Sequence, residues 1–158
     1  MEINLSVKDK TNLVSHNQWS CGECLNNTDG FAHTMGGRLS VTNEYNTIGY
    51  KSLKSTTDGS TTSIDMIHVV TEEQIGHTGL VSFDAYSISN FNVYLCWRSG
   101  SSSGSASVKT TIGVPADENT HVVITIPEIP DNTYSVFVRL QNNNKDDLFV
   151  DNFVLNLN

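Results

Sequence analysis

Tyr94, Arg98, Phe137, Arg139 and Gln141 are the residues of this chain whose types and spacing could do chemistry together. They recur at alternate positions in two runs whose remaining positions are apolar. Phe91, Val93, Leu95 and Trp97 fill one run, and Val136, Val138 and Leu140 fill the other. Period-two alternation marks half-buried strands, with one side in a core and the other outside it. Two rings, two guanidiniums and an amide on the outer side are more than solubility needs. Planar hydrogen-bonding groups beside aromatic faces can hold a polar ligand. Tyr86 joins this set, because Ser82, Asp84 and Tyr86 alternate with Val81, Phe83 and Ala85.

The elements that must position these side chains are short strands. Alternating runs fall at 38–42, 51–55, 62–70, 79–87, 90–98, 107–114, 121–126, 134–141 and 148–156. Turn residues separate them, including Asp58, Gly59 and Ser60, the Gly/Ser tip at 99–105, and Pro130, Asp131 and Asn132. The tip composition reads as a flexible hairpin end. Apolar residues nowhere keep a helical period for three turns, although Thr71, Glu72, Glu73 and Gln74 could start one short turn. This rhythm predicts an all-β, antiparallel two-sheet β-sandwich of jelly-roll type over 1–158 as a single domain. In the last run Phe149, Phe153, Leu155 and Leu157 read as one face, with Asp151 on it. Trp97 reads as core, since exposing it would take a bulge that flips its face.

The composition narrows the function. The chain has 158 residues, 37% of them hydrophobic and 16% charged, with a net charge of -8. A nucleic-acid partner is disfavoured, because phosphate binding needs clustered Lys and Arg. An anionic membrane surface is disfavoured for the same reason, and no apolar run has the length of a membrane span. The first residues lack the basic and apolar regions of a signal peptide.

Catalysis has no local signal. A glycoside hydrolase needs two opposed carboxylates, and the acids lie mainly in turns. Asp65 and Asp84 are strand acids that nothing in the sequence pairs. Neither a nucleophile elbow nor a phosphate loop occurs. The three cysteines are Cys21, Cys24 and Cys96. The first two have the spacing of a redox pair, half a zinc site or a local disulfide. Zinc would need two histidines, such as His16 and His33, to complete it. Free thiols or a small loop clip are the plainer readings, and Cys96 reads as a small packing residue.

Four segments resemble carbohydrate-binding modules of families four, nine and twenty-two. Asn12-Leu-Val-Ser-His-Asn-Gln-Trp-Ser20 resembles their N-L-L-x-N-x-x-F-E opening. Ile48-Gly-Tyr-Lys-Ser-Leu-Lys54 resembles S-G-x-x-S-L-K. Leu80-Val-Ser-Phe-Asp-Ala-Tyr86 resembles Y-T-L-S-F-x-A. Leu148-Phe-Val-Asp-Asn-Phe-Val-Leu155 resembles the closing x-x-I-D-D-V-x-L. The segments run in the family's order along nearly the whole chain.

The resemblance implies a jelly roll with a non-catalytic glycan site in the concave face of one sheet. It also implies a structural calcium, with Asp151 at the family's acidic position. Ser20 stands where the family has a glutamate ligand, so backbone carbonyls near 49–51 would have to supply further oxygens. Without a metal, Asp151 would be a loop-capping hydrogen-bond acceptor. The expected partner is a polysaccharide or oligosaccharide, bound as part of a larger multidomain protein outside the cell or on a virion. A secreted glycanase, an adhesin and a phage tail or baseplate protein all fit. A structural or protein-docking jelly roll with no sugar site is the other reading. Tyr94, Tyr86, Arg98, Arg139 and Gln141 supply stacking faces and paired hydrogen bonds, the two devices that recognise pyranoses. Trp19, Phe31, Tyr45 and Tyr50 are loop aromatics that could wall the site.

Overall fold

The computed structural model describes residues 31–32, 35–45, 47 and 52–157, with side chains from residue 35 onward. The readings of Trp19, Cys21, Cys24, Tyr50, the 12–20 segment and the 49–51 carbonyls lie outside the described residues.

The described residues form ten strands: β1 (Phe31–Ala32), β2 (Arg38–Thr42), β3 (Ser52–Thr56), β4 (Thr62–Val69), β5 (Gly79–Tyr86), β6 (Phe91–Ser99), β7 (Ala106–Val114), β8 (Thr120–Ile126), β9 (Thr133–Asn142) and β10 (Leu148–Leu157). One 3-10 turn, Glu72–Gln74, follows β4. There the Thr71 backbone N–H donates to Gln74 Oε1 at 3.0 Å. The strands form two five-stranded sheets. Sheet A has the order β1-β4-β9-β6-β7, and sheet B has the order β2-β3-β10-β5-β8. All the pairings are antiparallel. This is the jelly-roll sandwich that the alternating runs predict.

The core lies between the sheets. Ile64, Val93, Leu95, Val138 and Leu140 enter it from sheet A, and Leu53, Val81, Phe83, Ile124, Val150 and Phe153 enter from sheet B. Phe83 and Phe153 stack nearly parallel, with ring centroids 5.0 Å apart. Each fully buried side chain of this size contributes about 1.5–3 kcal/mol relative to exposure. Trp97 is in the core, as expected. A bulge does occur beside it, between the β6 partners Leu95 and Cys96, but the extra residue, Lys109, is carried by β7. The phase of β6 is therefore unbroken, and Trp97 keeps its inward side.

One face assignment changes. Phe149 is not on the side of Phe153. A register shift lies between Asp151 and Val154 of β10, and Asn152 there adopts φ 54°. That left-handed value is one that asparagine tolerates better than most residues. The extra residue reverses the alternation. Phe149 and Asp151 consequently point away from the core, while Phe153 and Leu155 point into it.

One end of the sandwich is closed by a buried amide. Asn142 Nδ2 donates to Ser87 Oγ at 2.8 Å and to Ser89 Oγ at 2.9 Å. Ser87 Oγ donates to the Asp147 carbonyl at 2.7 Å. Together these bonds tie the segment that carries the chain from β5 to β6, and so from sheet B to sheet A, to the β9–β10 connection.

Candidate functional site

The outer face of sheet A brings five of the six sequence-selected ligand residues together. On paired strands, residues directly opposite share a face, with Cβ atoms about 4.5–5.5 Å apart. Asp65 of β4 opposes Arg139 of β9, which opposes Tyr94 of β6. The next row is Ser63, Gln141 and Asn92. On the other side lies an apolar row of Ile67, Phe137, Cys96 and Val108, crossing four strands. Beyond it stand Val69, Ser135 and Arg98.

Arg139 is held by two parallel bonds. Its Nε and Nη2 each donate to one carboxylate oxygen of Asp65 at 2.9 Å. Asp65 is 1% exposed, and the fork gives this buried carboxylate a charged partner. The bonds to the carboxylate hold the Arg139 guanidinium above its usual range, against the opposing effect of burial. Asp65 is thus the strand acid whose partner the sequence left unstated, and that partner is Arg139.

Phe137 is on the outer face, as alternation predicts, but it offers no open ring. It is 3% exposed. The Arg98 and Arg139 guanidinium carbons stand 5.3 and 5.5 Å from its centroid. Each contact is of cation–π type. Phe137 therefore supports the two arginines and does not present a stacking surface. Beside it, burial pushes the Cys96 thiol up, which keeps it protonated and unreactive near neutral pH.

Arg98 is anchored differently. Its Nη1 donates to the Gly104 carbonyl at 2.9 Å. The 99–105 tip that supplies this carbonyl is closed by its own backbone bonds, Ser99 N–H to Ser105 O at 3.0 Å and Gly104 N–H to Ser101 O at 2.9 Å. A Cβ on Gly104 would lie 1.6 Å from the Ser99 carbonyl oxygen, so only glycine fits there. The tip whose composition reads as a flexible hairpin end thus carries hydrogen bonds of its own. Gln141 is half-buried and donates from Nε2 to Asn143 Oδ1 at 2.9 Å.

Tyr86 is separated from the other five. It ends β5, which belongs to sheet B, so its ring lies on the opposite side of the molecule. There Tyr45 stacks on it at 5.3 Å, and Phe149 lies 6.0 Å away. Its hydroxyl donates to Asp117 at 2.7 Å. A cavity of about 250 Å³ beside it is lined by Thr57, Tyr86, Ile88, Asp146, Asp147 and Phe149. Lys54 lies over Phe149 at 5.1 Å and pairs with Glu44 at 2.7 Å.

Asp151 also faces outward on sheet B, directly opposite Asp84. It is fully buried. Its Oδ2 accepts the Thr47 N–H at 2.7 Å, and its Oδ1 accepts the Asn152 N–H at 2.8 Å. The Thr47 hydroxyl donates to Asp84, whose other oxygen meets His121 Nδ1 at 2.6 Å. The loop-capping role expected for Asp151 is thus present. A buried amide oxygen, Asn152 Oδ1, has no hydrogen-bond partner among the described residues. Asp151 and Asp84 are oxygen donors of the kind a hard cation such as calcium takes, but Asn152 turns its Nδ2, not its oxygen, toward Asp84 Oδ2 at 3.5 Å.

No protein-family model matches the chain, and no curated protein sequence matches it. Solved structures do. The CBM22-1 xylan-binding domain of Paenibacillus barcinonensis Xyn10C superposes with a TM-score of 0.62 at 14% identity, covering 84% of this chain and 88% of that one. TmCBM61, solved in complex with β-1,4-galactotriose, gives 0.59 at 14% identity over 91% and 97%. The enzymatically active domain of bacteriophage CBA120 tailspike protein 4 gives 0.66 at 16% identity over 94% of this chain and 22% of that one. At these identities the likeness establishes the fold, a jelly-roll sandwich of the carbohydrate-binding-module type.

Proposed function

We propose that this jelly roll is a non-catalytic carbohydrate-binding module whose ligand lies across the outer face of sheet A. The observation that carries the reading is the row formed by Asp65, Arg139 and Tyr94. It sets an oriented guanidinium beside a half-buried tyrosine on paired strands. Tyr94 supplies a ring for the C–H side of a pyranose, while Arg139, Gln141 and Asn92 supply planar or amide donors for adjacent hydroxyls. A hydrogen-bonded sheet loses little ordering entropy on binding.

Hydrolysis is a poorer fit. It needs two carboxylates facing one another across a sugar. On this face Asp65 is buried under Arg139, and Asp84 and Asp151 are neighbours on the other sheet. The module would belong to a larger protein displayed outside the cell or on a virion, and would tether that protein to a polysaccharide surface. Calcium would be held by Asp151 and Asp84 on sheet B, far from the sugar, and would stabilise the loop at Thr47.

The test is a glycan-array screen of the purified chain, with calcium and with chelator. Saturable binding to one polysaccharide class, lost in Tyr94→Ala, is the expected result. A blank against plant glycans and microbial cell walls would overturn the reading in favour of a structural or protein-docking jelly roll.

A further inference from the structure

We infer that the glycan taken by this face carries a carboxylate, as a uronic acid does, and that Arg98 is the residue that selects it. The inference rests on the proposed sugar site and names its substrate class.

The chain as a whole is acidic, with a net charge of -8. The outward positions of β4, β9 and β6 reverse that sign. They hold one acid, Asp65, and two guanidiniums, Arg98 and Arg139. Asp65 neutralises Arg139 through a closed two-bond fork. Arg98 has no such partner. Among the described residues no carboxylate lies within ion-pair distance of it. Its one hydrogen bond goes to a neutral acceptor, the Gly104 carbonyl, and occupies Nη1. Among the described residues the Nε and Nη2 edge, the edge that forks onto a carboxylate, makes no hydrogen bond.

Arg98 is half-buried, and its cross-strand neighbours, Ser135 on β9 and Ala106 on β7, are small. Phe137 below and the Gly104 carbonyl at the tip fix its position, which reduces the entropy lost when a ligand binds. A half-buried cation without a counter-ion discriminates between ligands. A hydroxyl can accept its hydrogen bonds, but only an anion also neutralises its charge.

The experiment measures binding of the whole chain to polygalacturonate, alginate and hyaluronan, each beside its carboxyl-reduced neutral form, and to neutral xylan and galactan. At least one acidic polymer is expected to bind about tenfold or more tighter than its reduced form, from the usual difference between charged and neutral hydrogen bonds. That preference should shrink as salt rises. Arg98→Gln should bring the acidic-to-neutral ratio near one, while Arg98→Lys should keep part of it. Thermal midpoints of both variants verify that they are folded. Equal or tighter binding of a neutral polymer overturns this inference and leaves the module reading standing. An acid preference that persists in Arg98→Gln overturns the role of Arg98. Binding to no polymer overturns the module reading itself.

Discussion

Tyr94 and Arg139 stand directly opposite each other on β6 and β9, yet the fold treats them differently. The tyrosine is half-buried on the outer face and, among the described residues, makes no side-chain hydrogen bond or ring contact, whereas the arginine is the counter-ion of a buried carboxylate. Tyr94 therefore reports on binding alone, whereas Arg139 reports on stability as well.

Removing Arg139 strands Asp65. Breaking a buried pair by deleting one partner costs about 3–5 kcal/mol, and the lower end applies to a guanidinium that is partly exposed. Arg139→Ala should show this loss in urea unfolding followed by fluorescence. Asp65→Asn combined with Arg139→Gln should recover much of it, since no buried charge is then left unpaired. Unchanged stability in Arg139→Ala would mean that the pair is not formed.

Tyr94→Ala should lower glycan affinity about tenfold, the scale of one lost aromatic contact with its buried area. Its midpoint should stay close to that of the parent. Tyr86→Ala should leave affinity unchanged, because that ring lies on sheet B. Calorimetric titration of both variants makes the comparison, and weakened binding in Tyr86→Ala would move the site to the other sheet.

Stability should fall as pH rises above about 10, the ordinary tyrosine range. Burial, then the charges of Asp84 and Asp151, push the Tyr45 hydroxyl well up. Above pH 10 the unfolded chain gives up this proton while the folded chain keeps it, so unfolding becomes easier with each step in pH. Raised values for Cys96 and Lys54 act in the same direction. Urea midpoints between pH 8 and pH 11 should show the decline, and Tyr45→Phe should make it shallower.

Calcium should raise the thermal midpoint, and chelator should reverse the gain. Asp151→Asn should abolish the response, because it removes the charge and one oxygen of the fully buried carboxylate. A midpoint indifferent to calcium in the parent chain would leave Asp151 as a cap for the Thr47 loop alone.

Much of this fold is legible in the sequence, because alternation is a local signal. The nine alternating runs correspond to β2–β10 within a residue at each end, and Val81, Phe83, Val93, Leu95 and Trp97 all point inward as their spacing requires. Alternation tells a residue's side but not its sheet. β5 and β6 are consecutive in the chain yet lie in different sheets, and that crossing carried Tyr86 away from Tyr94. Phe149 changed sides because a single bulge residue, Asn152, reverses the phase of β10, and no spacing rule marks it. Phe137 lost its open face to Arg139, two residues along the same strand, and to Arg98, which reaches it from β6 only through the β6–β9 register. Asp65 was visible as a strand acid, but its partner depended on the β4–β9 pairing.

Gly104 bears on more than the tip it closes. The carbonyl that steadies Arg98 comes from a segment of Gly and Ser that contributes nothing to the core. Sequence drift in that tip would leave the sandwich intact while moving one cation across the outer face. Related jelly rolls could thus exchange one sugar acid for another by rewriting seven residues, with the sheets serving as an unchanging mount.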